Sequence, residues 1–257
     1  MDSLTGVGAP EIWLLAVCIT LFGGVVKGVV GFAMPMIVIS GLASVMPPEV
    51  ALAGLILPTL AANLWQALRQ GRRAAWETMR RYRVFLGALT LAMLASAQLV
   101  PVLPASVLFA VLGVPITLHA LVTLAGHGLR LAPDPGPRTE AGIGAVTGFI
   151  GGMSGVWGPI TVAMLTAQDI AKSDHIRIQG VIYGLGAVVL VVGHLGSGVL
   201  NRETLVFSSA LVLPGLIGMA LGFRLQDRVD QATFRRLTLI VLLVAGLNLI
   251  RRALVAG

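Results

Sequence analysis

The chain has 257 residues, of which 56% are hydrophobic and 11% charged, with a mean hydropathy of +0.92. A soluble domain carries about 25% charged residues, so composition excludes a soluble enzyme or binding module and points to a polytopic membrane protein. The net charge of +7 would suit a nucleic-acid binder, but the Arg residues sit in short loops between apolar runs, as the positive-inside rule expects, and no nucleic-acid partner is expected.

In chain order, Met1 to Glu11 carries no Lys or Arg ahead of the first apolar run. That makes a poor secretory signal, and the first apolar segment is expected to be retained. The run from Ile12 to Met46 holds one charged residue, Lys27, and is interrupted by Gly and Pro. A membrane-spanning helix needs about 20 apolar residues. Six segments fit that length simply: roughly 50–68, 84–101, 105–126, 178–199, 204–223 and 234–250. Between them, 127–139 is rich in Pro and Gly and reads as a linker joining a first half, 1–126, to a second, 140–257. The lone Cys18 forms no internal disulfide, no metal-ligand spacing exists, and no cofactor is expected.

Two segments do not fit, 12–46 and 140–168, and they share a motif. Gly24-Val-Val-Lys27-Gly28-Val-Val-Gly31-Phe32-Ala-Met-Pro35 returns 124 positions later as Gly148-Phe-Ile-Gly151-Gly152-Met-Ser154-Gly155-Val-Trp157-Gly-Pro159. Paired helix-breaking segments in two halves of a membrane protein point to a transporter's binding site. Each is either a kinked single span or a pair of half-helices that returns to its own side. Charge separates the two. Lys27 apart, with single crossings Lys and Arg split 11 to 6 between the two sides; with returning segments they split 14 to 3. The positive-inside rule favours the second. It places both termini outside, the Arg-rich loop 69–83 in the cytoplasm, and gives each half an odd number of crossings. The expected fold is therefore an all-α polytopic membrane protein of two inverted repeats, each with a broken or re-entrant Gly/Pro segment and three spanning helices.

Non-helical backbone at membrane depth must line a cavity or be buried in protein. The two broken segments should therefore meet in the interior, where half-helix N-termini offer free N–H groups to an anion. Lys27 is deep in an apolar segment, and a charge there costs at least about 2.5–3.5 kcal/mol. With no acidic neighbour in sequence, its natural partner is a bound anion; the alternative is that it snorkels to an interface. Gly28, Gly31, Gly152 and Gly155 either shape the site or permit close helix packing. Phe32, Pro35 and Pro159 belong to the same motif, and Ser154 and Trp157 add a hydroxyl and an indole N–H. Asn63 and Gln66 are pathway polar groups or inter-helix hydrogen-bonders. His194, in an apolar helix, is a core histidine or a proton carrier. His175, beside Asp174, reads as solvated. Arg69, Arg72, Arg73, Arg80, Arg81 and Arg83 fix topology and touch anionic lipid.

Gly152-Met153-Ser154-Gly155 also spells G-x-S-G, the nucleophile motif of rhomboid-type intramembrane proteases, with His194 as a base. The first copy has no Ser, so duplication accounts for the shared glycines without catalysis. No nucleotide-binding P-loop pattern is present.

At these segments the chain resembles the sulfite exporter TauE/SafE family of bacterial membrane permeases. The resemblance lies in Lys27 to Pro35, in Ala51 to Gly71 with Leu57-Pro58, Asn63-Leu64 and Gln66, and in Gly148 to Pro159, and it extends over about residues 12–252. It implies a permease in the bacterial inner membrane, no enzyme, that moves sulfite, sulfonates or related carboxylates. The expected function is a secondary transporter of a small anion, with a passive channel or uniporter as the alternative and a Ser154 protease as the alternative of another class. Expected partners are the anion and the bilayer; the oligomeric state, a homodimer included, is left open.

Overall fold

The computed structural model describes residues 10–68, 70–100, 104–127, 135–154, 157–167, 172–226, 228 and 230–256. These form helices α1 (Pro10–Val30), α2 (Met34–Leu42), α3 (Pro48–Leu68), α4 (Arg72–Arg81), α5 (Arg83–Ala97), α6 (Ala105–Leu124), α7 (Pro137–Ser154), α8 (Gly158–Ala167), α9 (Lys172–Gly196), α10 (Arg202–Ala210), α11 (Val212–Gln226) and α12 (Gln231–Ala256). No strand occurs among the described residues. Four helical stretches among them, 10–29, 48–68, 177–196 and 202–225, are long and apolar enough to cross a membrane. Large apolar side chains such as Leu91, 73% exposed, and Leu213, Val192 and Leu118 cover the outside. Water would not tolerate so broad an apolar surface; a bilayer requires it.

Both non-fitting segments break at the repeated motif. Gly31 takes φ 83°, a left-handed conformation open to glycine, and ends α1. Pro35 sits in the first turn of α2, where its missing N–H does no harm to the new helix but prevents the old one from continuing. Beyond the break the chain turns back. Gly23 of α1 lies beside Met34 and Val38 of α2, and Ile19 lies against Gly41, so α2 runs antiparallel to α1. In the second half, α7 ends at Ser154 and α8 begins at Gly158 with Pro159 in its first turn.

Glycine faces set the long-range packing. Gly24 and Gly28 of α1 meet the backbone of Gly215, Met219 and Gly222 of α11, with both helices running the same way. Gly144, Gly148 and Gly152 recur every fourth residue on α7 and meet the backbone of Phe85, Leu89 and Met93 of α5, again in parallel. Without a hydrophobic force between helices in lipid, such close backbone approach is a main source of association. By contrast α3 and α9 are antiparallel: Gly180 lies at Gln66 and Ala67, and Gly184 nearer Asn63. So are α6 and α12, where Gly113 meets Gly246 and Ile250 while Arg252 covers the ring of Phe109 at 4.7 Å.

Inside α3, Pro58 cannot donate to the carbonyl of Gly54. The Ser208 hydroxyl of α10 donates to that carbonyl at 3.4 Å and accepts from the Leu57 N–H at 3.0 Å, so the interruption is repaired from another helix.

Three expectations change. The stretch 69–83, expected as a loop, contains helix α4, which turns Thr78 inward and its arginines outward. The segment 204–223 keeps the length and hydropathy of one span but is interrupted at Leu211, between α10 and α11; Pro214, in the first turn of α11, has no N–H for the Ala210 carbonyl. Helix α7 starts at Pro137, inside the expected linker, whose residues 128–134 lie outside the described part.

Candidate functional site

Lys27 is four residues short of the α1 break and 1% exposed. Its Nζ donates to Asn63 Oδ1 at 2.6 Å, Gln66 Oε1 at 2.9 Å and the Gly31 carbonyl at 3.3 Å. The Gly31 carbonyl is the group Pro35 cannot serve, so Lys27 caps the broken end of its own helix. Asn63 and Gln66 are one turn apart on α3 and present their oxygens together. Three oxygen acceptors are what a protonated amine, with three N–H donors and no acceptor, requires. Hydrogen bonds from a charged donor are worth roughly 1.5–3 kcal/mol each, enough to offset much of the several kcal/mol a buried ion costs. They do not neutralise it. Among the described residues no carboxylate pairs with Lys27.

The ammonium faces a small pocket. One wall is the first break and the start of α2: Phe32, Ala33, Pro35 and Met36. The opposite wall is the second break, Trp157 and Gly158, with Tyr183 of α9. The two breaks touch where Phe32 packs on Gly158. Tyr183 places its ring 5.6 Å from Lys27 Nζ, stands edge-on to Trp157 at 6.5 Å, and donates its hydroxyl to the Gly158 carbonyl at 3.1 Å. Two buried donors near the breaks, Trp157 Nε1 and Gln66 Nε2, have no hydrogen-bond partner among the described residues. The arrangement offers one fixed cation, spare N–H groups and an aromatic wall, a set suited to holding an anion rather than to bond cleavage.

A family model described as Sulfite exporter TauE/SafE matches residues 16–249. The chain belongs to the TauE/SafE family. No curated protein and no solved structure matches it. TauE/SafE members are membrane transporters, not enzymes, and membership with this apolar helical architecture makes the chain a multi-pass membrane protein and suggests transport of sulfite-like anions.

Within this TauE/SafE chain the predicted residues separate into groups. Lys27, Phe32, Pro35, Asn63 and Trp157 line the pocket, with Gln66 behind Lys27. Gly31 forms the turn itself; a Cβ there would lie 2.9 Å from Gln179 Oε1. Gly28 and Gly152 lie instead at helix contacts, where a Cβ would collide with the Met219 carbonyl and with Ser96 Oγ respectively. His194 is away from the pocket: one ring nitrogen is 2.8 Å from the Gly152 carbonyl and the other 3.2 Å from Ser197 Oγ. Gly155 and the side chains of Ser154 and Pro159 lie outside the described part. Sequence reasoning missed Tyr183 and Gln179. They are four apart on α9 and share a face, but nothing local distinguishes one tyrosine and one glutamine at the start of an apolar helix.

Proposed function

We propose that this chain is an inner-membrane secondary transporter that carries a small oxyanion, such as sulfite, an organosulfonate or a related carboxylate, past Lys27. The observation that carries the reading is the buried, unneutralised ammonium of Lys27 facing a pocket at the junction of the two broken segments. Such a charge is tolerated at membrane depth when a counter-ion visits it. Trp157 Nε1, on the pocket wall, is the donor that would meet anion oxygens, with Gln66 Nε2 behind Lys27.

The two halves are read as inverted repeats with re-entrant hairpins α1–α2 and α7–α8. Support comes from how helices pair. Equivalent helices α3 and α9 run antiparallel, as do α6 and α12. The exchanged pairs α1 with α11 and α5 with α7 both run parallel. A two-fold axis in the membrane plane generates that pattern. Rocking one half against the other would then expose the pocket to alternate sides. Both termini lie outside the cytoplasm in this reading, and the Arg-rich α4 lies inside. His194, engaged through both ring nitrogens, offers no support to a serine-protease reading.

The test is thermal stabilisation of the purified protein by a panel of sulfite, sulfonates, carboxylates and cations, beside Lys27→Met. A ligand of the native state at one hundred times its Kd stabilises by about 2.7 kcal/mol. Stabilisation by an anion, absent in Lys27→Met, is expected. Anion stabilisation retained in that variant would move the site elsewhere, and no response to any anion would remove the reading.

A further inference from the structure

We infer that the Lys27 site takes its anion singly charged, so that sulfite passes as hydrogen sulfite and an organic sulfonate passes as itself. This deepens the transporter reading and rests on it. A census of charge around Nζ leads there. From α1 comes Lys27 alone. Helix α2 contributes Ala33, Pro35 and Met36, and α3 contributes Asn63 and Gln66, all neutral. From α9 come Gln179 and Tyr183, whose hydroxyl is held on the Gly158 carbonyl. Helix α8 begins with Gly158, preceded by Trp157. Helix α11 meets Gly28 through Met219, Gly222 and Phe223, and its neighbouring charge, Arg224, is exposed. His194 faces Gly152 instead.

Helix ends do not add a second charge. Each break sets the C-terminus of one helix beside the N-terminus of the next, α1 against α2 and α7 against α8. Their partial charges, about half a unit and opposite in sign, offset locally. Among the described residues what remains is N–H donors and one whole positive charge. A monoanion makes the loaded pocket neutral. A dianion leaves an unneutralised charge against Phe32, Met36 and Trp157, and such a charge is expensive out of water.

The consequence separates substrates that share a shape. Sulfate and methanesulfonate are both tetrahedral and of similar size, but sulfate is a dianion and methanesulfonate a monoanion at neutral pH. Sulfite loses its second proton near neutral pH, so its monoanionic fraction falls about tenfold for each pH unit above that point.

The experiment uses the full chain in proteoliposomes, measuring uptake of labelled methanesulfonate and labelled sulfite from about pH 6 to about pH 9, with methanesulfonate, a monoanion throughout, as the reference for any change in the protein. Unlabelled sulfate is added as competitor. The ratio of sulfite to methanesulfonate uptake at constant total concentrations is expected to fall close to tenfold per pH unit at the alkaline end, and sulfate to compete at least about tenfold more weakly than methanesulfonate. A ratio that stays level or rises with pH, or equal competition by sulfate, would overturn the inference. So would a parallel fall for both substrates, which assigns the dependence to the protein. Absence of uptake for both anions at every pH would remove the transporter reading itself, and the inference with it.

Discussion

The Nζ of Lys27 and the Oδ1 of Asn63 are 2.6 Å apart, joining the broken helix α1 to the intact helix α3. The contact holds the cation in place without cancelling its charge, because an amide oxygen carries only a partial charge. Asn63→Asp should therefore be instructive. The added carboxylate pairs with Lys27 and occupies the role of the anion. Thermal stabilisation by methanesulfonate is expected to vanish while the protein stays folded. Asn63→Leu removes the acceptor and is expected to cost about 1–3 kcal/mol of stability. Retained anion response in Asn63→Asp would mean the anion does not depend on that charge.

Glycine substitutions should sort by surroundings, not by position in the motif. Gly31→Ala places a side chain at φ 83°, beside Gln179 Oε1, and is expected to cost at least about 1–2 kcal/mol. Gly28→Ala drives a methyl into the Met219 backbone, which cannot move aside as a flexible side chain would, so α1 and α11 must separate. Gly87→Ala, on an exposed face of α5 with nothing within 4 Å, is expected to be neutral or to stabilise by up to about 1 kcal/mol. Apparent Tm values in one detergent compare all three.

The ion pair between Arg81 of α4 and Glu140 of α7 spans 2.8 Å and is lopsided: the Arg side chain is 47% exposed and the Glu 5%. Removing the arginine strands a buried carboxylate, whereas removing the glutamate leaves an arginine that water can solvate. Arg81→Ala is thus expected to destabilise by about 2–4 kcal/mol and Glu140→Ala by roughly half as much, after discounting for the solvated partner. Equal losses in thermal unfolding would contradict this account.

Topology gives a direct check on the re-entrant reading. In a Cys18→Ser background, Glu11→Cys and Ser44→Cys flank the α1–α2 hairpin, and both positions are exposed. An impermeant thiol reagent applied to intact cells should label both from outside and leave Arg73→Cys unlabelled. Labelling of only one of the first pair would favour a single kinked crossing.

Much of the site was legible because it rests on covalent chemistry. Proline lacks an N–H wherever it occurs, so Pro35 and Pro159, each following closely spaced glycines, announce breaks where Pro58 inside α3 does not, and an ammonium deep in an apolar run announces a cost that something must offset. Asn63 and Gln66 were visible as polar residues in an apolar helix, but either role, pathway or inter-helix bond, was consistent with the sequence; the structure bonds both to Lys27 of another helix and sets Asn63 on the pocket wall. Helix α4 was hidden because its charges were read as a topology signal, while its inward face, with Thr78, depends on packing against α9.

By itself, then, the sequence determined the membrane class, the two breaks and the buried cation, all consequences of local composition and of what Pro and Gly backbones permit. Tertiary structure decided who surrounds that cation. Asn63 and Gln66 arrive from 36 and 39 residues away, and Tyr183 from the other half of the chain. Their meeting depends on glycine faces on α1, α7, α9 and α11 bringing distant backbones together, and close approach between surfaces is a property of pairs of helices that neither helix's own residues specify.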